Sequence, residues 1–259
     1  SIKLMNKKMK PSAQSAMYSK HAQLMQARKQ NYFDNPSKEV LSLIPEDVQR
    51  VLEVGCGGGA TLRTLKESRL KEGRICEVVG VDIEAEAISR AKEYLDAAYL
   101  MNVEEEELTE YPPGYFDLLI IQYVLEHCVN PWATLRQCLA LLRPGGYVII
   151  GVPNIANYRF LQRLILKDEF AYEPSGIVDW THLRYFTRTS FHELLTGAGL
   201  TICSTMGLQK KSQISRKLRY LVRLFPALNR FTYYAYVVLA RKDKETPADY
   251  IPFKKSYTV

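Results

Sequence analysis

A doubly wound α/β sheet is the fold class this sequence predicts, and three observations predict it. Short β-branched apolar runs alternate with longer amphipathic segments from Gln49 onward, the rhythm of a parallel sheet with crossover helices. A glycine-rich turn, Gly55-Cys56-Gly57-Gly58-Gly59, joins the first run to the first amphipathic segment, an arrangement that lets backbone approach a ligand closely. The second run ends in an acid, Asp82, at the matching place in the next strand.

The elements follow in order. Residues 50–54, 77–81, 98–101, 116–123 and 147–152 read as strands; 60–68, 85–95 and 132–142 read as the helices between them. Pro144-Gly145-Gly146 punctuates the approach to the fifth strand, because proline cannot continue a helix and glycine permits positive φ. After Pro153 the rhythm breaks into about thirty aromatic-rich residues ending in Trp180, His182 and Tyr185, too long for an ordinary connection. The segment 153–186 is therefore expected to be a lid or substrate wall. A helix at 190–197 and strands at 200–205 and 233–240 complete a seven-stranded, mostly parallel Rossmann-like sheet with one antiparallel strand. Before it, Pro36 opens a helix over 37–43. The expected organisation is a leader over 1–35, one domain over 36–243 and a tail over 244–259.

Composition narrows the class. With 47% hydrophobic and 24% charged residues, the 259-residue chain reads as globular, and no apolar run approaches the roughly 18 to 20 residues that span a bilayer. The basic start lacks the apolar region of a secretory signal, so a soluble, cytoplasmic protein is expected. Five scattered cysteines without a C-x-x-C pair or zinc-ligand spacing predict reduced thiols and no metal. The net charge of +7 is concentrated towards the two ends, and no nucleic-acid module accompanies it.

The glycine turn admits two cofactors. Gly55-x-Gly57-x-x-Ala60 satisfies the dinucleotide fingerprint, and Asp82 would serve a ribose in either case. Glu53 separates them: two residues before the first glycine, its carboxylate attracts a cofactor ammonium and repels a pyrophosphate. A bland alternative is a tight turn with Asp82 as a helix N-cap.

The run Glu53-Val54-Gly55-Cys56-Gly57 with Val79-Gly80-Val81-Asp82-Ile83 resembles the first two motifs of the class I S-adenosylmethionine-dependent methyltransferases. The run from Phe116 to His127 and the run from Leu141 to Ile150 are similar to the fourth- and fifth-strand motifs of the subgroup containing ubiquinone- and menaquinone-biosynthesis methyltransferases. The resemblance spans roughly residues 36–200. It implies S-adenosyl-L-methionine as cofactor, with Glu53, Gly55, Cys56, Gly57 and Gly59 around the methionine moiety, Asp82 on the ribose and Ile83 against adenine. Asn102, where the family has an aspartate, and its neighbour Val103 would meet the adenine; Gln122 and Tyr123 would line the methionine side, with His127 nearby. A nicotinamide-dependent oxidoreductase and a non-catalytic cofactor-binding protein are the alternatives.

Methyl transfer to a hydroxyl calls for alignment and a proton acceptor. Histidine is the natural choice near neutral pH. Of four, His21 falls in the polar leader and His192 on a predicted helix. His182 sits in Asp179-Trp180-Thr181-His182-Leu183-Arg184-Tyr185-Phe186-Thr187, whose His182-to-Thr187 run resembles the acceptor-side segment of methyltransferases that act within glycan and polyketide-like pathways. His182 is the first candidate base, Asp179 and Tyr185 the second; the competing reading is a lid packed by its aromatics. The resemblance favours a small-molecule or carrier-linked acceptor, methylated on a sugar or natural-product hydroxyl.

Residues 209–230 are basic, amphipathic and free of acids. They suit an anionic membrane or a phosphorylated substrate, or a surface helix that turns its apolar stripe to the core or to a homodimer partner.

Overall fold

The structure, a computed structural model, describes residues 35–209 and 216–243. The expected leader with His21, the tail, and residues 210–215 of the basic segment lie outside the described residues.

Seven strands form one sheet in the order β3-β2-β1-β4-β5-β7-β6. They are β1 (Arg50–Val54), β2 (Glu77–Asp82), β3 (Ala97–Leu100), β4 (Phe116–Gln122), β5 (Leu142–Pro153), β6 (Leu200–Leu208) and β7 (Ala235–Lys242). β1 pairs in parallel with β2 and β4, β2 with β3, and β4 with β5. β7 runs antiparallel to both neighbours, so it is the one reversed strand that was expected.

The period-2 alternation of the central strands sorts side chains to two faces. Leu52, Val54, Leu119, Ile121, Val148 and Ile150 build one core layer. Val51, Val78, Leu118, Ile120 and Ile149 build the other. The helices cover these faces: α1 (Lys38–Leu41), α2 (Ala60–Lys71), α3 (Ala85–Ala91), α4 (Pro131–Ala140), α5 (Tyr158–Lys167), α6 (Arg188–Gly197) and α7 (Arg216–Leu224). Several ends carry side-chain caps. Asn130 accepts from Ala133 N before α4, and Thr187 and Ser190 form a reciprocal capping box before α6.

Three differences from expectation have local causes. Pro144-Gly145-Gly146 lies inside β5, where the register against β4 shifts between Phe116 and Leu118. α3 stops at Ala91 because the chain turns through 92–94 to re-enter the sheet. The region after Pro153 contains α5, hidden among aromatic residues. It begins where the Asn157 side chain accepts from Arg159 N, a cap readable in the sequence once a helix is sought there.

The lid is fastened at both ends. Ile155 N donates to Phe186 O, and the Asn154 amide donates to Arg230 O and Tyr233 O. Leu183 N and Arg184 N both donate to Glu126 O, tying the end of the lid to the loop after β4. The basic segment forms α7 and a 3-10 turn over Pro226–Phe231. Among its described apolar residues, Leu221 is 42%, Leu224 55% and Phe225 57% exposed.

Candidate cofactor and acceptor site

At the carboxyl ends of β1 and β4, where strand order reverses and a doubly wound sheet opens a crevice, lies a cleft of about 670 Å³. Glu53, Gly55, Cys56, Gln122 and Tyr123 line one end; His127, Asp179 and His182 join them from the loop after β4 and the lid. Leu183 N and Arg184 N, bonded to Glu126 O, help bring His182 beside residues that follow β4.

The glycine turn is shaped for a close approach. Gly55 has φ +75°, and a Cβ there would stand 2.4 Å from Val124 Cγ2, so a side chain at this position collides with the loop after β4. Gly55 N and Cys56 N both donate to Val81 O, and Gly57 N donates to Asp82 Oδ2 at 2.8 Å. Asp82 Oδ1 accepts from Glu84 N. The acid thus orders the turn while each oxygen keeps acceptor capacity for a ribose. Tyr123, with φ +56°, holds a left-handed conformation that costs a non-glycine residue roughly 1 kcal/mol or more. That strain sits at the cleft.

Glu53 tests the fit of a cationic cofactor. It is buried, and its Oε2 has no hydrogen-bond partner among the described residues. Burial, then the neighbouring charge of Asp82, pushes its carboxyl from 4.5 up to about 8. A buried carboxyl without a partner beside a glycine cradle is what an ammonium or sulfonium would satisfy. The residues present fit S-adenosylmethionine.

Not every expected contact faces this cleft. Asp82, Ile83, Gly57 and Gly59 belong to the turn and the end of β2 without lining it. Asn102 Oδ1 accepts from Glu104 N, ordering the loop after β3, and Val103 lines a separate cavity of about 670 Å³ beneath residues 103–113. Gln122 Nε2 donates to Ser37 Oγ, which ties the cap of α1 to the cofactor end. Ser37, Asn157, Arg159 and Glu126 also line the cleft; Ser37 and Asn157 announce themselves only as helix caps, and Glu126 as part of the fourth-strand motif.

Two histidines meet in the same cleft. His127 and His182 stack edge-on with ring centroids 4.6 Å apart. His182 Nδ1 lies 2.9 Å from Ile177 O, and His127 Nδ1 lies 3.2 Å from Thr181 O. A carbonyl only accepts, so both Nδ1 atoms donate. Asp179 Oδ1 accepts from Thr181 N and Thr181 Oγ1, closing the turn that presents His182. Tyr185 packs against Phe170, with centroids 5.8 Å apart, and does not line the cleft. His192 is elsewhere, on α6, bonded to Thr205 Oγ1 of β6.

Residues 24–205 match the methyltransferase-domain family. The chain belongs to that family. As a methyltransferase it is similar to the ubiquinone biosynthesis O-methyltransferase of Neisseria meningitidis, 29% identical over 167 residues, which cover 62% of this chain and 67% of the relative. It is 27% identical to the protein of the same name from Shewanella pealeana over 183 residues, 69% of this chain and 72% of that one. Among solved structures, a methyltransferase of Methanosarcina mazei shares the fold at TM-score 0.54 and 18% identity, covering 80% of this chain and 98% of the other. One from Aquifex aeolicus does so at TM-score 0.52 and 15% identity, covering 86% and 97%. The family implies S-adenosylmethionine as cofactor, and the nicotinamide reading finds no support in these likenesses. No helix among the described residues is long and apolar enough to cross a membrane.

Proposed function

We propose that this methyltransferase moves the methyl group of S-adenosylmethionine to an oxygen of a small-molecule or carrier-linked acceptor. One observation carries the reading: the buried Glu53 and Gly55 line the same cleft as an imidazole pair, His127 and His182. Glu53 and the turn at Gly55 would hold the cofactor, which when bound would supply an electrophilic methyl for the acceptor oxygen and keep the electron pair of the broken C–S bond on sulfur. His182, in the same cleft, meets the acceptor hydroxyl, orienting it and taking its proton. The ubiquinone relatives make a phenolic hydroxyl a natural candidate alongside the sugar or natural-product hydroxyl that the lid suggests. Calorimetric titration with S-adenosylhomocysteine should show binding that Asp82→Ala abolishes, since that variant removes both the ribose acceptor and the bond that orders Gly57. An intact protein that binds no S-adenosylhomocysteine would end this reading.

For the basic segment we propose peripheral contact with an anionic surface. The exposed Leu221, Leu224 and Phe225 lie in a stretch rich in lysine and arginine without one acid, the pattern of an interfacial helix. Co-sedimentation should occur with vesicles containing phosphatidylglycerol, weaken with salt, and drop on Leu224→Glu/Phe225→Glu. Equal sedimentation with neutral vesicles, or a concentration-dependent dimer that the double variant dissolves, would assign the stripe to other partners.

A further inference from the structure

Glu126, His127 and His182 come together although no metal-ligand spacing connects them in the sequence. They are 1%, 7% and 6% exposed, and one donor atom from each lies within 4.8 Å of the others. The arrangement is held from outside. Each histidine gives its Nδ1 proton to a backbone carbonyl, Thr181 O for His127 and Ile177 O for His182. That is the anchoring by which proteins fix the tautomer and ring of an Nε2 ligand. Glu126 O takes Leu183 N and Arg184 N, so the strip carrying Glu126 and His127 is clamped to the strip carrying His182. Two imidazoles and a buried carboxyl in one pocket form a donor set for a cation.

We infer that Glu126, His127 and His182 bind a divalent first-row transition cation of the Mn2+, Co2+, Zn2+ class, which holds the acceptor through two adjacent oxygens. Two imidazoles and one carboxylate favour these ions over Mg2+ or Ca2+, which prefer oxygen ligands. Three protein ligands leave coordination positions open, and the open side is the cleft shared with Glu53 and Tyr123. A catechol or a vicinal diol fills two such positions; a lone hydroxyl fills one. The cation lowers the pKa of the coordinated hydroxyl, whose proton leaves to solvent. The resulting oxyanion attacks the methyl carbon, the C–S bond breaks, and its electron pair stays on sulfur. This inference rests on the oxygen-methylation reading and narrows it: in the metal-loaded enzyme the His182 lone pair serves the ion, and direct proton transfer to His182 is replaced.

The test uses the full chain, stripped with EDTA and dialysed. Added Co2+ should bind as a single ion per chain with visible d–d absorption, be displaced by Zn2+, and change its spectrum with pyrocatechol but not with phenol. Glu126→Gln and His182→Ala should each weaken Co2+ binding at least tenfold while S-adenosylhomocysteine still binds, which shows that they fold. If equilibrium dialysis of the stripped wild type finds no Mn2+, Co2+ or Zn2+ retained, the inference fails, and intact binding of S-adenosylhomocysteine leaves the methyltransferase reading standing. If Co2+ binds but pyrocatechol leaves its spectrum unchanged, the acceptor part is overturned. Metal binding without S-adenosylhomocysteine binding would sink the functional reading instead.

Discussion

His182→Ala should lower kcat by roughly 10²- to 10⁴-fold, the range for loss of a group acting on the reacting proton, while the affinity for S-adenosylhomocysteine stays nearly unchanged. The separation follows from where the residue sits. Its ring is set by Ile177 O and by the ring of His127, whereas the cofactor end is built from β1 and β2, with Glu53, Gly55 and the Asp82–Gly57 bond. Truncating the lid histidine removes an imidazole from the acceptor end and leaves that bond in place. Steady-state kinetics on the true acceptor, paired with calorimetry, reads both quantities. Near-normal turnover would make His182 a packing residue and move the search for a proton acceptor to Asp179 and Tyr185. Chelation of the wild type distinguishes the two roles proposed for the imidazole: activity that survives EDTA favours proton transfer to His182 itself, and activity lost with the metal and restored by it favours the ligand role.

The sheet was legible because its signals are local. Period-2 apolar runs, the glycine turn and an acid ending β2 each constrain a few neighbouring residues, and they agree with one another. The single reversed strand was expected with the family resemblance, and the local pattern of residues 200–205 and 233–240 carries no sign of strand direction. Glu53 and Gly55 could be singled out for the same reason, since they lie on one strand and its turn. The meeting of the two histidines could not. His127 and His182 are separated by α4, β5 and most of the lid, and what helps bring their rings together is the pairing of Leu183 N and Arg184 N with Glu126 O, a backbone contact that leaves no mark on residue type. Glu126 reads in sequence as an ordinary motif acid, and only burial beside two imidazoles gives it a chemical role. The same limit applies to Ser37 and Asn157, which are caps in sequence and cleft walls in three dimensions. The basic segment shows the converse: its amphipathic pattern was plain, but a pattern states only that one face is apolar, not what covers it.

Cofactor binding should release about one proton near neutral pH, and Glu53→Gln should remove most of that release. Burial first, and the Asp82 charge second, raise the Glu53 carboxyl from 4.5 to about 8, so the ligand-free protein carries this proton at pH 7. An ammonium or sulfonium placed beside it favours the carboxylate, and the proton leaves. The association constant should therefore climb with pH and flatten above about 8. Stability responds with the matching sign. Because the folded pKa lies above the unfolded value, this group's contribution is fully present below 4.5 and is lost as pH rises through about 8. A bound cation restores it, so the rise in Tm given by S-adenosylmethionine should be larger at alkaline than at acidic pH. Asp82, also raised by burial, lies close enough to contribute, which is why the variant rather than the wild type alone decides the assignment. Glu53→Gln keeps the shape and removes the charge, at a cost of about 2 kcal/mol or more for a buried charge pair, roughly thirtyfold in affinity. Calorimetry in two buffers of different ionisation enthalpy measures the proton count directly. Equal heats in both buffers, together with wild-type affinity in Glu53→Gln, would place the cofactor's cationic groups away from this carboxyl.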